Sequence, residues 1–313
     1  MSVPPPLTVP ESLPTSLRRG RPLVWVSPLN GDGTRSALLG WGEALRVEAS
    51  GEGRFRDLEA RFREYAATHP GAFAFVSVTF SPDSGASSVL IVPEVLGHWT
   101  AGTLTLTGPA PDPTPECTLQ ELDLLPGELT REGFRRAVAE ALTRIEAGEV
   151  EKVVVARDLL ATGSERIDLP GVLVRLAEAN PGAMVFHVDG MFGASPELLV
   201  RRRGDSIRSR VLAGSAPATG EAGEDEAAAE RLSASSKDAA EHAYAVRSVA
   251  DRLATVATIE EAEPRILSMP TIQHLATEIT GILTEPLSAL ALAELVHPSA
   301  AICGTPTEAA ARL

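Results

Sequence analysis

Apolar residues in the second half of the chain alternate between helical and strand spacing. Thr130 is placed to cap a helix over LTREGFRRAVAEALTRIEAGEV. The apolar residues on one side of that helix are Phe134, Val138, Ala141, Leu142 and Ile145. The runs EKVVVARDLLAT and AMVFHVDGMFGAS have strand composition, and DLPGVLVRLAEANPG between them predicts another helix. This alternation predicts an α/β (α+β) fold.

Further helices are predicted towards the end of the chain. One is long, EDEAAAERLSASSKDAAEHAYAVRSVADRLATV, with a break expected near residues 233–236. The last helix before the chain stops is expected in ILTEPLSALALAELVHP.

The first half carries short β-rich runs around one helix expected at residues 55–68. Residues 1 to about 20 are proline-rich, and we expect them to be loosely ordered. The run PAPDPTPEC is typical of a linker. The pattern therefore divides the chain into residues 1–120 and residues 121–313.

The stretch FGASPELLVRRRGDSIRSRVLAGSAPATG predicts a β-hairpin flanked by two corners. The first corner holds a carboxyl group, Glu197, directly after Ser195 and Pro196. The second is the small run from Leu212 to Ser215, which offers almost nothing reactive. The pattern thus places a carboxyl group at one corner and small, unreactive residues at the other.

Composition narrows the possible ligands. The 313 residues are 44% hydrophobic, which is enough for a substantial core, and the formal net charge of −14 would repel nucleic acids and anionic lipids. We expect no nucleic-acid partner and no membrane association. An anionic substrate would need local basic groups or a metal ion.

Cysteine content and the N-terminus predict the compartment. Cys117 and Cys303 have no metal-ligand spacing, and a secreted disulfide framework would normally contain more cysteines. No basic segment followed by an apolar run opens the chain, and no stretch reaches the roughly 18 apolar residues of a membrane span. We expect a cytoplasmic monomer with reduced thiols.

Each candidate site residue, taken alone, also has an ordinary structural explanation. Lys152 is first of all a lysine at a strand entrance, Glu197 a possible turn cap, and Glu241 with His242 part of a solvated helix face. His274 is equally compatible with a buried structural histidine. Their combination in sequence order is more informative.

Six ordered blocks cover most of residues 150–306: EKVVVARDL, FGASPELLV, RVLAGSAPATG, SSKDAAEHAYAVRSV, IQHLATEITGIL and VHPSAAICGTP. Their order and spacing resemble the chorismate-utilising enzymes, which include isochorismate, salicylate, anthranilate and aminodeoxychorismate synthases. The resemblance implies two packed antiparallel sheets with outer helices. It also implies that residues 121–313 form the chorismate-binding catalytic core.

The resemblance implies chorismate as substrate and Mg²⁺ as cofactor. Glu241 matches a metal carboxylate, and His274 and Thr277 match residues that line the substrate pocket. Because chorismate is a dicarboxylate and the chain is acidic, a hard cation with oxygen ligands suits the bridging role.

Replacing the C4 hydroxyl of chorismate by water at C2 requires an acid and a base. We assign Glu197 as the acid, since burial raises a carboxyl pKa, and Lys152 as the base, since burial lowers a lysine pKa. The aminodeoxychorismate type carries a lysine nucleophile where this chain has Ala213, which leaves space for water. Gly214 would permit close approach of the backbone, and Ser215 could hydrogen-bond the ligand.

The expected product is isochorismate, for menaquinone or siderophore synthesis. Salicylate synthase and a catalytically inactive chorismate-binding protein remain as alternatives, and an amine-transferring role is less favoured because no glutaminase segment is present. Relatives continue beyond GTPTEAAARL with a substrate-gripping arginine and a second metal carboxylate. We therefore expect a C-terminally incomplete chain whose activity is in question.

Overall fold

A computed structural model describes residues 7–115 and 121–313. The helices, in chain order, are α1 (Leu13–Leu17), α2 (Arg54–Thr68), α3 (Arg131–Glu146), α4 (Leu169–Ala179), α5 (Ala222–Ala234), α6 (Ser236–Leu253), α7 (Ala289–Val296) and α8 (Thr307–Ala311). The strands are β1 (Leu7–Pro10), β2 (Leu23–Val26), β3 (Ser36–Trp41), β4 (Leu45–Ala49), β5 (Phe75–Ser77), β6 (Ser88–Val92), β7 (Val95–Thr100), β8 (Thr103–Leu106), β9 (Asp123–Pro126), β10 (Lys152–Val153), β11 (Leu159–Thr162), β12 (Met184–Val188), β13 (Met191–Ser195), β14 (Leu198–Arg203), β15 (Ser206–Pro217), β16 (Ala257–Glu261), β17 (Arg265–Ser268), β18 (Ile272–Leu283) and β19 (Gly304–Thr305).

The chain forms two compact units. The first comprises the described residues of Met1–Leu119 together with Ile167–Pro196, and the second those of Gln120–Arg166 and Glu197–Leu313. The division at residue 120 that the sequence suggests stays a prediction. The segment 167–196 lies with the first unit although the sequence division assigns it to the second part.

The first unit is built on a seven-stranded antiparallel sheet in the order β1-β8-β7-β3-β2-β12-β13, beside a three-stranded sheet β4-β6-β5. Helices α1 and α4 pack on its main core, where Leu17, Leu39 and Leu173 are almost fully buried. The expectation of a loosely ordered start is wrong for residues 7–17. Proline is compatible with an edge strand and with the first turn of α1, and the leucines of α1 have a core to enter.

The second unit is built on the sheet β14-β15-β18-β16, in which β17 also pairs with β18. Helices α6 and α7 cover one face and bury Val246, Val249, Leu253 and Leu292 with Ile279 of β18. Two small antiparallel ribbons complete the unit, β9 with β11 and β10 with β19. Mixed α/β structure with antiparallel sheets confirms the predicted fold class.

Local signals in the sequence place several helices correctly. Thr130 accepts a hydrogen bond from the Gly133 amide at 3.1 Å at the start of α3, and α5 and α6 are separated at Ser235. The apolar side assigned to α3 is only partly correct, because Leu142 is 55% exposed. The last predicted helix is followed by α8.

The structure bears in part on two further expectations, the reduced thiols and the lack of a membrane span. Cys303 is a free thiol, whereas Cys117 lies outside the described residues. Among the described residues, none of the helices combines the length and the apolar character that a membrane crossing requires.

We predict that Leu17→Ala destabilises the first unit by about 2–5 kcal/mol, because it empties a fully buried site. Urea unfolding followed by tryptophan fluorescence measures this directly, since Trp25, Trp41 and Trp99 all lie in that unit. The control is Leu7→Ala, at a leucine that is 53% exposed. Equal effects of the two substitutions would contradict an ordered α1.

Candidate active site

Lys152 opens the short strand β10, which pairs with Thr305 and Gly304 of β19. A Cβ atom on Gly304 would lie 2.1 Å from the Lys152 carbonyl oxygen, so only glycine permits this approach. The Lys152 side chain is 8% exposed, and its Nζ donates a hydrogen bond to the Ala300 carbonyl at 2.6 Å. The amine is therefore buried and oriented.

Glu197 lies at the corner immediately before β14, as the hairpin pattern predicts. Burial raises the pKa of its carboxyl group to about 7, although the charge of Lys152 and a hydrogen bond from the Leu212 backbone act in the opposite direction. A large fraction of the Glu197 side chains is therefore protonated at neutral pH.

Four ionisable groups share one electrostatic neighbourhood around Lys152. Burial lowers the pKa of the Lys152 amine, and the negative charges of Glu241, Cys303 and Glu197 raise it. The structure thus brings together the predicted base, the predicted acid and the predicted metal carboxylate. Burial favours the neutral form of both the amine and the Glu197 carboxyl group.

The donor set for a metal ion at this site is small. Within residues 7–115 and 121–313, no three histidine, cysteine, aspartate or glutamate side chains form a metal-binding group. Glu197 and Glu241 are the two carboxyl groups that interact with Lys152, and Glu241 is the one predicted to bind the metal. That set fits Mg²⁺, which is commonly held by one or two protein carboxylates while substrate oxygens and water complete its coordination.

One buried histidine connects two of the predicted pocket residues. His242 of α6 is 2% exposed; its Nδ1 lies 3.1 Å from the Ala213 carbonyl oxygen and its Nε2 lies 2.8 Å from the Thr277 hydroxyl. Burial lowers the pKa of His242, which favours the neutral ring. Because a carbonyl only accepts, Nδ1 donates to Ala213, and the Thr277 hydroxyl donates to Nε2.

The interpretation of Glu241 and His242 as a solvated helix face is wrong for His242, which is buried and joins Ala213 to Thr277. The signal was available in the helical spacing of α6. His242, Ala245, Val246 and Val249 follow one another at intervals of three, one and three, which assigns the histidine to the apolar side.

Gly214 produces a β-bulge in the pairing of β15 with β18. Ala213 is opposite Leu275 and Ser215 is opposite His274, so Gly214 is the extra residue, with φ +75°. The Ser215 hydroxyl lies 2.8 Å from His274 Nδ1. Burial lowers the pKa of His274, and a hydrogen bond to the Gly214 backbone raises it.

The predicted substrate-binding residues fall on two faces of the sheet. Thr277 and His274 are three positions apart on β18, so their side chains point in opposite directions. Thr277 contacts His242 on the helix-covered face, while His274 contacts Ser215 on the other. Ala213, Thr277 and His242 thus form one group, and Ser215 and His274 form a second.

A cavity of about 540 Å³ adjoins the first group. Its walls include His242, Thr277, Leu275 and the connection between β16 and β17. This volume is in the range of small-molecule sites. Neither Lys152 nor Glu197 is among the described residues that line it.

The family model for chorismate binding enzymes matches residues 99–313. The chain belongs to this family of chorismate binding enzymes. The match includes every residue of the groups above and confirms the family that the six sequence blocks indicate.

The similar curated proteins include isochorismate synthases. DhbC of Bacillus subtilis is 37% identical over 193 residues, which cover 57% of this chain and 48% of DhbC. EntC of Escherichia coli K12 is 36% identical over 187 residues, covering 58% of this chain and 48% of EntC. The chain thus spans about half the length of the curated relatives it matches.

Solved structures extend the likeness to the whole fold. The crystal structure of DhbC from Bacillus anthracis has a TM-score of 0.78 at 28% identity, covering 96% of this chain and 79% of that one. Anthranilate synthase component I from Streptococcus pneumoniae has a TM-score of 0.60 at 14% identity, covering all of this chain and 77% of that one. The second likeness shows the fold alone.

We predict that Glu197→Gln stabilises the protein above pH 7 relative to the unchanged chain. Because folding raises the carboxyl pKa from 4.5 to about 7, the contribution of Glu197 to stability is complete below pH 4.5 and is lost as the pH rises through about 7. The expected gain is at most about 3 kcal/mol above pH 7 and vanishes near pH 4. Urea unfolding followed by circular dichroism across this range measures it.

The control for that comparison is Glu230→Gln on the exposed surface of α5. It should leave the pH dependence unchanged. A constant stability difference between Glu197→Gln and the unchanged chain would show that burial does not shift this carboxyl group.

We also predict that Gly304→Ala destabilises the second unit by about 1–3 kcal/mol, because the added methyl group forces β10 away from β19. Gly223→Ala in α5 is the matched control: a Cβ there meets nothing within 4 Å, and alanine favours a helix. Thermal unfolding by circular dichroism compares the two variants. If Gly304→Ala were as stable as the control, the close approach at Lys152 would be wrong.

Proposed function

We propose that this chain carries the reaction centre of an isochorismate synthase, which converts chorismate to isochorismate. The supporting observation is the electrostatic interaction of a buried lysine with a half-buried carboxyl group, each shifted towards its neutral form. Membership of the chorismate binding enzymes supports the substrate, and relatives at 36–37% identity carry the name isochorismate synthase.

The neutral Lys152 amine accepts a proton from water as that water attacks C2 of the ring. The protonated Glu197 carboxyl group donates a proton to the departing C4 hydroxyl group, and the ring double bonds shift. One water molecule enters and one leaves, so the reaction is an isomerisation. The hydrogen bond from Nζ to the Ala300 carbonyl holds one N–H of the amine, so the lone pair occupies one of the two remaining positions on the nitrogen.

Ala213 bears on the identity of the nucleophile, because it is buried and carries no reactive group. A methyl side chain cannot attack C2 and leaves space for a small nucleophile, which favours water in this proposal. The His242 bond to the Ala213 carbonyl orients this peptide, and the bond from Thr277 leaves the lone pairs of its hydroxyl group to accept from a ligand.

Glu241 would hold Mg²⁺ in this proposal. The ion would supply positive charge that offsets the repulsion between a dicarboxylate and a chain of net charge −14. Ser215 and His274 remain predicted ligand contacts.

The test incubates the protein with chorismate, with and without Mg²⁺, and separates the products by chromatography. We expect isochorismate without pyruvate, and less of it in EDTA. Salicylate with pyruvate would identify a salicylate synthase. Calorimetric binding of chorismate without any product would identify an inactive binding protein and overturn the proposal.

We predict that Lys152→Met and Glu197→Gln each lower kcat by about 10²–10⁴-fold, the usual contribution of a general acid or base. Lys237→Met is the matched control for the first variant, because Lys237 is the other lysine of the chain and lies exposed on α6. Retention of full turnover by Lys152→Met would remove this lysine from the mechanism.

A further inference from the structure

The end of the sheet farthest from Ala213 carries a face rich in hydrogen-bond donors. The register places Arg201 opposite Arg208, which is opposite Thr280, and the next row places Arg203 opposite Ser206. Since residues two apart share a face, both rows project to the same side of the sheet.

Two arginines stand directly opposite each other in this arrangement. Like charges in a cross-strand pair destabilise an antiparallel sheet. The positive charge of Arg208 is compensated by Glu278, whose carboxylate lies 2.7 Å from the Arg208 Nε. Glu278 also contacts Arg210 and Arg265, so this single carboxylate serves three arginines.

The charges of Arg201 and Arg203 are less well compensated than that of Arg208. Neither forms an ion pair with another residue in the described part of the chain. Burial, together with the positive charges of Arg203, Arg208 and Arg210, lowers the pKa of Arg201, and the charge of Glu278 offsets part of this effect. The sheet therefore holds adjacent positive charges at a cost in stability, although the chain as a whole is strongly acidic.

These residues line a groove of about 520 Å³. Three guanidinium groups lie along it with three hydroxyl groups, and Glu260 on β16 is the acidic residue of the lining, across the sheet from β14. The donors are Arg201, Arg203, Arg208, Ser206, Thr258 and Thr280. Guanidinium groups bind the oxygens of phosphates and carboxylates through paired hydrogen bonds.

We propose that this groove binds a small, multiply charged oxyanion, such as a diphosphate or a tricarboxylate. The groove volume fits a small molecule, and the net charge of −14 opposes a long polyanion such as nucleic acid. The groove lies roughly 20 Å along β15 from Ala213, and its side chains project from the sheet face opposite to Thr277 and α6. Among the described residues that line it, none belongs to the proposed reaction centre of Lys152, Glu197, Glu241 and Ala213.

Isothermal titration calorimetry with pyrophosphate, in buffer without divalent metal, tests the proposal. Citrate in a second titration separates phosphate from carboxylate ligands, and sodium chloride at matched ionic strength corrects for general screening. We expect saturable binding of one pyrophosphate or one citrate per chain, weakening as salt rises.

The variant Arg201→Gln with Arg203→Gln should weaken this binding about tenfold or more. The matched control is Arg135→Gln with Arg136→Gln, which removes the same charge from the exposed surface of α3. Arg203→Gln alone provides a milder change if the double variant melts abnormally, and should weaken binding about threefold. Turnover of chorismate should be unaffected by both groove variants.

Binding that is absent, that does not saturate, or that weakens equally in the groove and control variants would overturn the proposal. Displacement of bound pyrophosphate by chorismate would also overturn it, since the anion would then occupy the reaction centre.

Discussion

The antiparallel ladder between β15 and β18 is the constraint on which the second unit depends. Its register runs from Ser206 opposite Ile282 to Pro217 opposite Ile272, and the predicted substrate-binding residues from Ala213 to Ser215, with His274 and Thr277, lie on it. One face of the ladder buries Ile207, Val211 and Ile279 under α6, which fixes the register, because a slip by one residue would expose this set to water. The burial of these apolar residues therefore also determines where the polar residues of β15 and β18 lie.

Burial acts on the two candidate catalytic groups in opposite directions. It raises the pKa of Glu197 and lowers that of Lys152, while each charge would stabilise the other if both were ionised. The proposed reaction starts with both groups neutral and leaves an ammonium beside a carboxylate. Their mutual attraction then offsets part of the cost of forming two charges in a poorly solvated site.

Local patterns in the sequence were sufficient for much of the fold. The cap at Thr130 and the break at Ser235 depend on neighbouring residues, and both are found in the structure. The proline content predicts a loosely ordered start, which is wrong for residues 7–17, because proline content alone does not reveal that Leu17 packs into a core.

Less of the candidate site than of the fold could be predicted from the sequence. The order of the six blocks was enough to group Lys152, Glu197 and Glu241. The role of His242 and the separation of His274 from Thr277 required the strand register and the packing of α6, which are non-local. The crowding of Arg201 against Arg208 was likewise hidden until the hairpin register was known.

The bulge at Gly214 has a consequence for how this strand could diversify. In a regular strand, positions 213 and 215 would share a face, and a change at one would disturb the surroundings of the other. The extra residue sends Ala213 towards α6 and Ser215 towards His274. Evolution could therefore exchange the residue at position 213, and with it the attacking group, while the serine–histidine contact two residues later stayed intact.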